Sequence, residues 1–308
     1  MKLLRKPLTR RVRLYQNTLI IAMLFAGAVV PSKADVYTIG TKNTSLQIDL
    51  ASGITQWTVD GVNQLNLQSF YYSVGANPVA SIYGIGLPSA PTITTNGFVL
   101  QTVTLNTSYA DSIVSVGTRF ALQGYATGSS QAKLTQTLTI NNLSSTAQVF
   151  HFYQYSDFDL GGVSGDQNVQ FFDRGSGLYY QVVQTAATGM ILTGLVSSVS
   201  GGTDTLSEVQ AGLFDGNKFG LDSGGLVTLD NTLAAGPGNT VYAYEWETTL
   251  AAGASITVSE IQTVVPEPSS VALVASGMLV LGLSCRRRQG GQRHCRSGSI
   301  FSSLNHLF

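Results

Sequence analysis

The stretch Lys133-Leu-Thr-Gln-Thr-Leu-Thr-Ile-Asn141 determines the predicted fold. Its side chains fall alternately on two sides of an extended chain, with Leu134, Gln136, Leu138 and Ile140 on one side and Thr135, Thr137 and Thr139 on the other. Because successive side chains of a β-strand point to opposite faces, this alternation predicts a strand with one dry face and one wet face.

Strand-like segments continue on both sides of this stretch and are separated by turn residues such as Asp60-Gly61, a tight hairpin signal. The predicted strands cover residues 37–50, 54–59, 70–74, 98–106, 112–122, 133–141, 147–159, 171–172, 178–184, 190–199, 226–229, 240–246 and 255–264. A long loop is predicted over residues 84–91, and Leu206 to Phe214 is predicted as a short helix. Many short strands without alternating helices predict an all-β fold, an antiparallel β-sandwich.

The C-terminal part of the sequence follows another pattern. Val265-Pro266-Glu267-Pro268 predicts a stiff extended spacer, because proline fixes its own backbone and biases the residue before it. Residues 269–285 contain no charge and would form a helix of about 26 Å, enough for a thin bilayer core. Arg286-Arg287-Arg288 follows as a basic stop on the cytoplasmic side. A single transmembrane helix is therefore predicted, with a buried core helix as the alternative.

This order of features resembles the PEP-CTERM sorting signal of Gram-negative bacteria. The resemblance covers residues 265–288 and implies recognition by a membrane-embedded exosortase. It also implies removal of the tail near Pro-Glu-Pro and transfer of the remaining protein to the cell surface or the extracellular matrix. Residues 289–308 extend beyond the usual end of such a signal as a basic tail, which we expect to be disordered.

The N-terminal residues predict a secretory signal peptide. An apolar core from Leu19 to Val30 follows a basic region, and Ser32-Lys33-Ala34 is a cleavage site of the small-x-small type. Cleavage after Ala34 would make Asp35 the first residue of the mature chain, and a retained membrane anchor is the alternative. The predicted organisation is a signal peptide at 1–34, a β-sandwich passenger domain at 35–264, a sorting signal at 265–288 and the tail at 289–308.

The charge of the passenger domain excludes one class of partner. Residues 35–264 contain five basic and sixteen acidic residues, a net charge of −11, although the whole chain is neutral. Such a domain repels phosphate backbones and is soluble outside the cell, so we expect no nucleic-acid binding. Both cysteines, Cys285 and Cys295, lie in the tail region, and the passenger must therefore fold without a disulfide.

Acidic residues supply the candidates for metal binding. Asp157 and Asp159 precede Gly161-Gly162, and Asp166 follows a few residues later. Oxygen ligands that converge on a loop suit calcium, although the spacing matches no EF-hand and ordinary turn chemistry is the alternative. No other cofactor is expected.

Acidic residues also supply the candidates for catalysis. Glu245 and Glu247 flank Trp246 and would lie on one face of a strand about 7 Å apart, a separation suited to an inverting glycosidase. The same spacing arises on any solvated strand face. His151 is the single histidine of the passenger, and no nucleophile motif accompanies it, so we expect a packed or surface histidine.

Aromatic residues predict either a carbohydrate-stacking face or cross-strand packing. The residues concerned are Tyr71, Tyr72, Tyr83, Tyr153, Tyr155, Tyr179, Tyr180, Tyr242, Tyr244 and Trp246.

The sequence therefore predicts an exported, exosortase-sorted protein of the cell surface or the matrix. We expect it to be non-catalytic, with a role in adhesion, biofilm or polysaccharide association. One alternative is a secreted carbohydrate-active enzyme that uses Glu245, Glu247, Asp157 or Asp159. Another is a protein that stays anchored in the inner membrane through residues 269–285.

Overall fold

The computed structural model describes residues 35–97, 101–173, 179–200 and 206–267. Within these ranges the chain forms strands joined by turns and three short 3-10 helices at Ile82–Gly84, Leu160–Gly162 and Lys218–Gly220. The strands are β1 (Val36–Thr41), β2 (Thr44–Asp49), β3 (Gly53–Val59), β4 (Val62–Asn63), β5 (Leu65–Val74), β6 (Ala80–Ser81), β7 (Thr92–Asn96), β8 (Thr102–Ala110), β9 (Val114–Gly124), β10 (Ala132–Asn142), β11 (Gln148–Phe158), β12 (Gln167–Asp173), β13 (Tyr179–Ala186), β14 (Met190–Ser200), β15 (Leu206–Leu213), β16 (Ala234–Gly238), β17 (Thr240–Leu250) and β18 (Ser255–Pro266).

The strands form two antiparallel sheets. Sheet A has the order β1-β2-β3-β5-β11-β17-β15, with β4 paired to β3 and β6 paired to β5. Sheet B has the order β16-β12-β13-β14-β18-β10-β9-β8-β7. The prediction of an all-β fold with antiparallel sheets is therefore confirmed.

One apolar core joins the two sheets. It contains Trp57 and Phe70 from sheet A together with Leu134 and Leu138 from sheet B, all of them buried. Strand β10 alternates buried and half-buried residues along its whole length, as its leucine and threonine pattern predicts. Burial of each large apolar side chain contributes about 1.5–3 kcal/mol, so the alternation of β10 holds sheet B against sheet A.

The predicted helix at Leu206 to Phe214 is wrong, because this segment is strand β15 at the edge of sheet A. A register shift between Leu206 and Glu208 interrupts its pairing with β17. The shift turns both Leu206 and Val209 toward the core, three residues apart. A β-bulge thereby imitates the spacing of a helix.

Other segment boundaries also differ from the prediction. The segment 37–50 is two strands separated by a turn in which Lys42 has a φ of +50°. The predicted strand at 226–229 is absent from the described chain, where these residues form irregular structure with Leu226 exposed. Strand β18 continues to Pro266, two residues beyond the boundary predicted for the passenger domain at residue 264.

Asp60 joins the two sheets at one end of the sandwich. It lies in the β3–β4 turn, and its carboxylate accepts hydrogen bonds from the backbone N–H groups of Gly128 and Ser130 in the β9–β10 loop, both at 2.7 Å. The Asn43 side-chain amide donates a third bond at 3.1 Å. These bonds, that from Gly128 above all, hold the pKa of Asp60 below its ordinary value.

We expect Asp60→Ala to lower the free energy of unfolding by about 2 kcal/mol, because two backbone donors and one amide lose a charged acceptor. Asp60→Asn should lose less, since it keeps one acceptor oxygen. A carboxyl with a lowered pKa stabilises the fold above its unfolded pKa of 3.8, and this stability is lost as the pH falls further. Urea denaturation of the three proteins at pH 7 and pH 3 measures both effects. Equal stability of Asp60→Ala and wild type at pH 7 would contradict the assignment.

Candidate functional site

The described part of the sorting motif is strand rather than spacer. We call residues 264–267 the motif strand end. Val264 pairs with Ala132 on one side and with Leu192 on the other, and it is fully buried. Val265 and Pro266 are extended, as predicted, but they belong to sheet B rather than to a spacer that follows it.

Beyond Val264 the motif strand end pairs on one side only. Val265 lies opposite Ile191 and Pro266 opposite Met190 in β14, and the Glu267 N–H donates to the Gly189 carbonyl oxygen at 2.7 Å. The register of β10 ends at Ala132, opposite Val264. A proline, which has no N–H to donate, is tolerated here because one flank of the strand has no neighbour in the ladder. The side chains of Pro266 and Glu267 are exposed.

The remaining sorting and targeting predictions lie outside the described residues. They concern Pro268, the helix at 269–285, Arg286 to Arg288, the tail at 289–308 and the signal peptide that ends at Ala34. Within the described ranges, no helix is long and apolar enough to cross a membrane.

A histidine and two carboxyl groups meet on the face of sheet A that points away from the core. Strands β11, β17 and β15 place His151, Glu245 and Glu208 there, with Glu208 opposite Glu245 in the register. His151 Nδ1 lies 3.0 Å from Glu245 Oε1, and the Leu229 N–H donates to Glu245 Oε2 at 3.2 Å. Glu245 is only 3% exposed. Burial, and then the nearby Glu245 charge, raise the pKa of Glu208.

Residues 214–231, which we call the strap, cover the neighbouring part of this face. Tyr153 donates its hydroxyl hydrogen to the Val227 carbonyl at 2.8 Å, and Tyr71 donates to Asp222 Oδ1 at 2.9 Å. Lys218 pairs with Asp222 at 2.7 Å within the strap. A second apolar cluster forms beneath it, consisting of Tyr71, Val79, Tyr153, Tyr155, Leu221 and Val241. The strap therefore closes the face on which these tyrosines lie.

The tyrosine and tryptophan candidates whose side chains the structure describes pack against other parts of the protein rather than form an open stacking face. Tyr242, Tyr244 and Trp246 lie in the core between the sheets, where Tyr244 contacts Trp246 with ring centroids 5.5 Å apart. Tyr71, Tyr153 and Tyr155 lie beneath the strap, and Tyr72 and Tyr83 are half-buried and pack against the core. The side chains of Tyr179 and Tyr180 lie outside the described set. Cross-strand packing is therefore confirmed for the residues that the structure describes.

The acidic candidates occupy different environments. Glu247 is exposed, whereas Glu245 on the same face is buried. Asp157 is 1% exposed and accepts a hydrogen bond from the Asn66 amide at 2.8 Å, and burial raises its pKa to about 6. Burial also raises the pKa of the half-buried Asp159, while Asp166 lies in a left-handed turn with a φ of +55°. The described residues contain no group of three or more histidine, cysteine or acidic side chains placed to hold a metal ion. Calcium binding by Asp157, Asp159 and Asp166 stays a prediction.

Sequence reasoning placed Gln136 on the inner face of its strand but missed the network of polar side chains that it joins in the core. Gln136 in β10 donates to Gln68 in β5 at 2.9 Å and to Gln262 in β18 at 2.8 Å, so it links the two sheets. Gln154 in β11 donates to Glu260 Oε2 in β18 at 2.6 Å. The alternation of β18 places Glu260 and Gln262 at core positions between Val258 and Val264, and this period could have revealed them.

We expect Glu245→Ala to lower the free energy of unfolding by about 2 kcal/mol, because His151 and the Leu229 N–H lose their acceptor. Glu247→Ala is the matched control, since it removes an exposed carboxylate from the same strand face and should change stability by less than about 0.5 kcal/mol. Chemical denaturation measures both values. Equal effects of the two substitutions would show that the His151–Glu245 contact contributes nothing to stability.

Comparison with known proteins identifies the C-terminal segment. The model of the PEP-CTERM protein-sorting motif matches residues 264–288, which confirms the resemblance. Such a motif implies export and processing at the membrane by an exosortase. No curated protein matches the chain by sequence.

The domain also has distant structural neighbours. A bacterial glucoamylase complexed with acarbose aligns with a TM-score of 0.48 and 10% identity over 85% of this chain, which spans 37% of the glucoamylase. Galactose 1-epimerase from Lactobacillus acidophilus NCFM aligns at 0.44 and 9% identity over 75% of this chain and 94% of its own. A copper-containing benzylamine oxidase from Hansenula polymorpha aligns at 0.49 and 7% identity over 76% of this chain and 60% of its own. All three TM-scores lie below 0.5.

Proposed function

We propose, from the PEP-CTERM motif at residues 264–288, that this is an exosortase-sorted protein whose β-sandwich is delivered to the cell surface or the extracellular matrix. The observation that carries the proposal is the motif itself, which begins in the last strand of the domain. The acidic passenger, which contains no cysteine, fits a domain that must stay soluble outside the cell without a disulfide.

The role that we propose for the sandwich is non-catalytic, in adhesion or in association with extracellular polysaccharide. A catalytic carboxyl group must come within hydrogen-bond reach of its substrate. Glu245 is buried, and its two oxygens already contact His151 and the Leu229 N–H. Asp157 is buried as well, and Glu247 is exposed on the strand face. Burial favours structural roles for Glu245 and Asp157, and it leaves Glu247 without an accessible partner from the predicted carboxyl pair.

The proposed sorting is tested by expressing the full chain in two otherwise identical hosts, one with an exosortase and one without. We expect the exosortase host to yield a surface or released species that lacks the C-terminal tail. The other host should retain the full tail in its membrane fraction. A full-length chain that keeps Phe308 in both hosts, or that is found in the cytosol, would refute the proposal. A tailless species that stays in the inner membrane would favour the anchored alternative.

The non-catalytic role is tested with the processed protein. We expect no release of reducing sugar from soluble polysaccharides, and equal behaviour of wild type and a Glu245→Gln, Glu247→Gln double variant. Turnover by wild type that the double variant or Asp157→Asn loses would favour the secreted carbohydrate-active enzyme instead.

A further inference from the structure

We propose that Val264 to Glu267 are a permanent part of the folded sandwich, and that the exosortase breaks a peptide bond on the C-terminal side of Glu267. This inference rests on the proposed sorting function and specifies where the domain presents its processing site. It implies that the sorting enzyme binds the motif strand end while these residues belong to the folded sheet.

The pairing of the motif strand end supports the first half of the proposal. Val264 is fully buried in the core that joins the two sheets and is paired on both sides, with Ala132 and with Leu192. The Glu267 N–H still bonds to the Gly189 carbonyl, three residues beyond Val264. A cut before Val264 would remove a core side chain, and a cut before Glu267 would remove the last backbone bond of the strand.

Beyond Val264 the strand is paired on one side only, so an enzyme can bind residues 265–267 without unfolding them. Successive residues of a strand direct their backbone groups alternately to the two flanks. Since the Glu267 N–H points to Gly189, the Pro266 carbonyl points to the flank where β10 has already ended. The Pro266 carbonyl therefore offers one backbone acceptor to a partner on this flank, where proline supplies no N–H donor.

The exposed side chains of the motif strand end are available for recognition by the sorting enzyme. Pro266 and Glu267 project into solvent, although their backbone is held in sheet B. Beside them lies the β13–β14 turn, where the side chains of Ala187 and Thr188 are also exposed. The surface that we assign to the sorting enzyme consists of this turn and the exposed residues of the motif strand end. The Glu267 carboxylate supplies its negative charge.

The chemical step is the breaking of one peptide bond. The carbonyl carbon of the residue at the cut, Glu267 or a later one, gains the oxygen of water or the nitrogen of an acceptor amine. The proton that the water or the amine loses is balanced by the proton that the nitrogen of the following residue gains as it leaves on the released tail.

The position of the cut is tested by mass spectrometry of the C-terminal peptide of the processed protein from the exosortase host. We expect every processed molecule to end at Glu267 or at a later residue. A mature C-terminus at Pro266 or earlier would overturn the inference while leaving exosortase sorting intact. Absence of any cut in that host would instead overturn the proposed sorting, together with the assignment of a processing site.

Hydrogen exchange tests the folded state of the motif without relying on processing. In the full chain purified from the host without exosortase, the Val264, Val265 and Glu267 amides should exchange at least about 100-fold more slowly than in unstructured peptides. The same amides in denaturant supply the unprotected reference. Exchange of all three at the unstructured rate would show that the motif is detached from the sheet and would overturn the inference.

Discussion

Ionisation of one buried residue, Glu260, is expected to lower the free energy of unfolding by about 3 kcal/mol between pH 4.5 and pH 7. The Glu260→Gln variant should lack this decrease. Glu260 lies between the sheets, and burial raises the pKa of its carboxyl from 4.5 to about 7. Among the described residues, its Oε1 atom has no hydrogen-bond partner. A neutral carboxylic acid therefore costs far less than a carboxylate at this position.

The sign follows from the two pKa values. Below pH 4.5 the carboxyl is protonated in both the folded and the unfolded chain. As the pH rises toward 7, only the unfolded chain releases its proton, so unfolding becomes more favourable. Above about pH 7 both states are ionised, and the loss is complete. Burial also raises the pKa of Asp157, to about 6. Its ionisation therefore lowers the free energy of unfolding as well, over a lower pH range.

Urea denaturation of wild type and Glu260→Gln from pH 4 to pH 8 measures the difference between the two proteins, in which the Asp157 contribution cancels. Glu247→Gln is the matched control, since it removes an exposed carboxylate and should follow the wild-type curve. Parallel curves for wild type and Glu260→Gln would show that Glu260 does not hold its proton in the folded protein.

Gly53→Ala is expected to lower the free energy of unfolding by at least about 3 kcal/mol, and Gly61→Ala by only about 1 kcal/mol. Both glycines have a positive φ, +110° at Gly53 and +82° at Gly61. They differ in their surroundings. A Cβ atom on Gly53 would clash with the Gln68 carbonyl oxygen and lie 2.5 Å from the Tyr83 hydroxyl oxygen, whereas one on Gly61 would meet no atom within 4 Å.

Comparison of the two variants separates the cost of backbone strain from the cost of a clash between neighbouring strands. Gly61→Ala reports strain alone, and the additional loss in Gly53→Ala reports the approach of β3 to β5, which pair at Ile54 and Gln68. Thermal and urea denaturation measure both values. Losses of equal size would show that the Gln68 and Tyr83 contacts give way without cost.

Sequence reasoning identified most of the strands because their alternation survives in the folded protein. Lys133 to Asn141 is strand β10 with the predicted inner face, and Asp60-Gly61 forms the predicted hairpin turn between β3 and β4. The errors arose where tertiary structure overrides local pattern. The bulge in β15 imitates a helix, and Leu226 to Leu229 lie in the strap rather than in a ladder.

The candidate site was harder to predict. The contact between His151 and Glu245 joins residues far apart in the sequence, and it depends on the pairing of β11 with β17. Nothing local to either residue indicates which strands will be neighbours. The polar residues of the core could have been predicted, because Gln136 and Gln262 occupy inward positions of regular strands. The sorting motif was recognised because its information lies in the order of residues rather than in the fold.

The position of β18 sets the order in which the domain can assemble. This last strand lies in the middle of sheet B, between β14 and β10, and its partners in β10 precede it by more than a hundred residues. Sheet B therefore cannot close until residue 266 is available, and such distant pairing makes folding slow. If the chain is exported N-terminus first, as the sorting motif implies, we expect sheet B to stay incomplete until residue 266 has crossed the membrane.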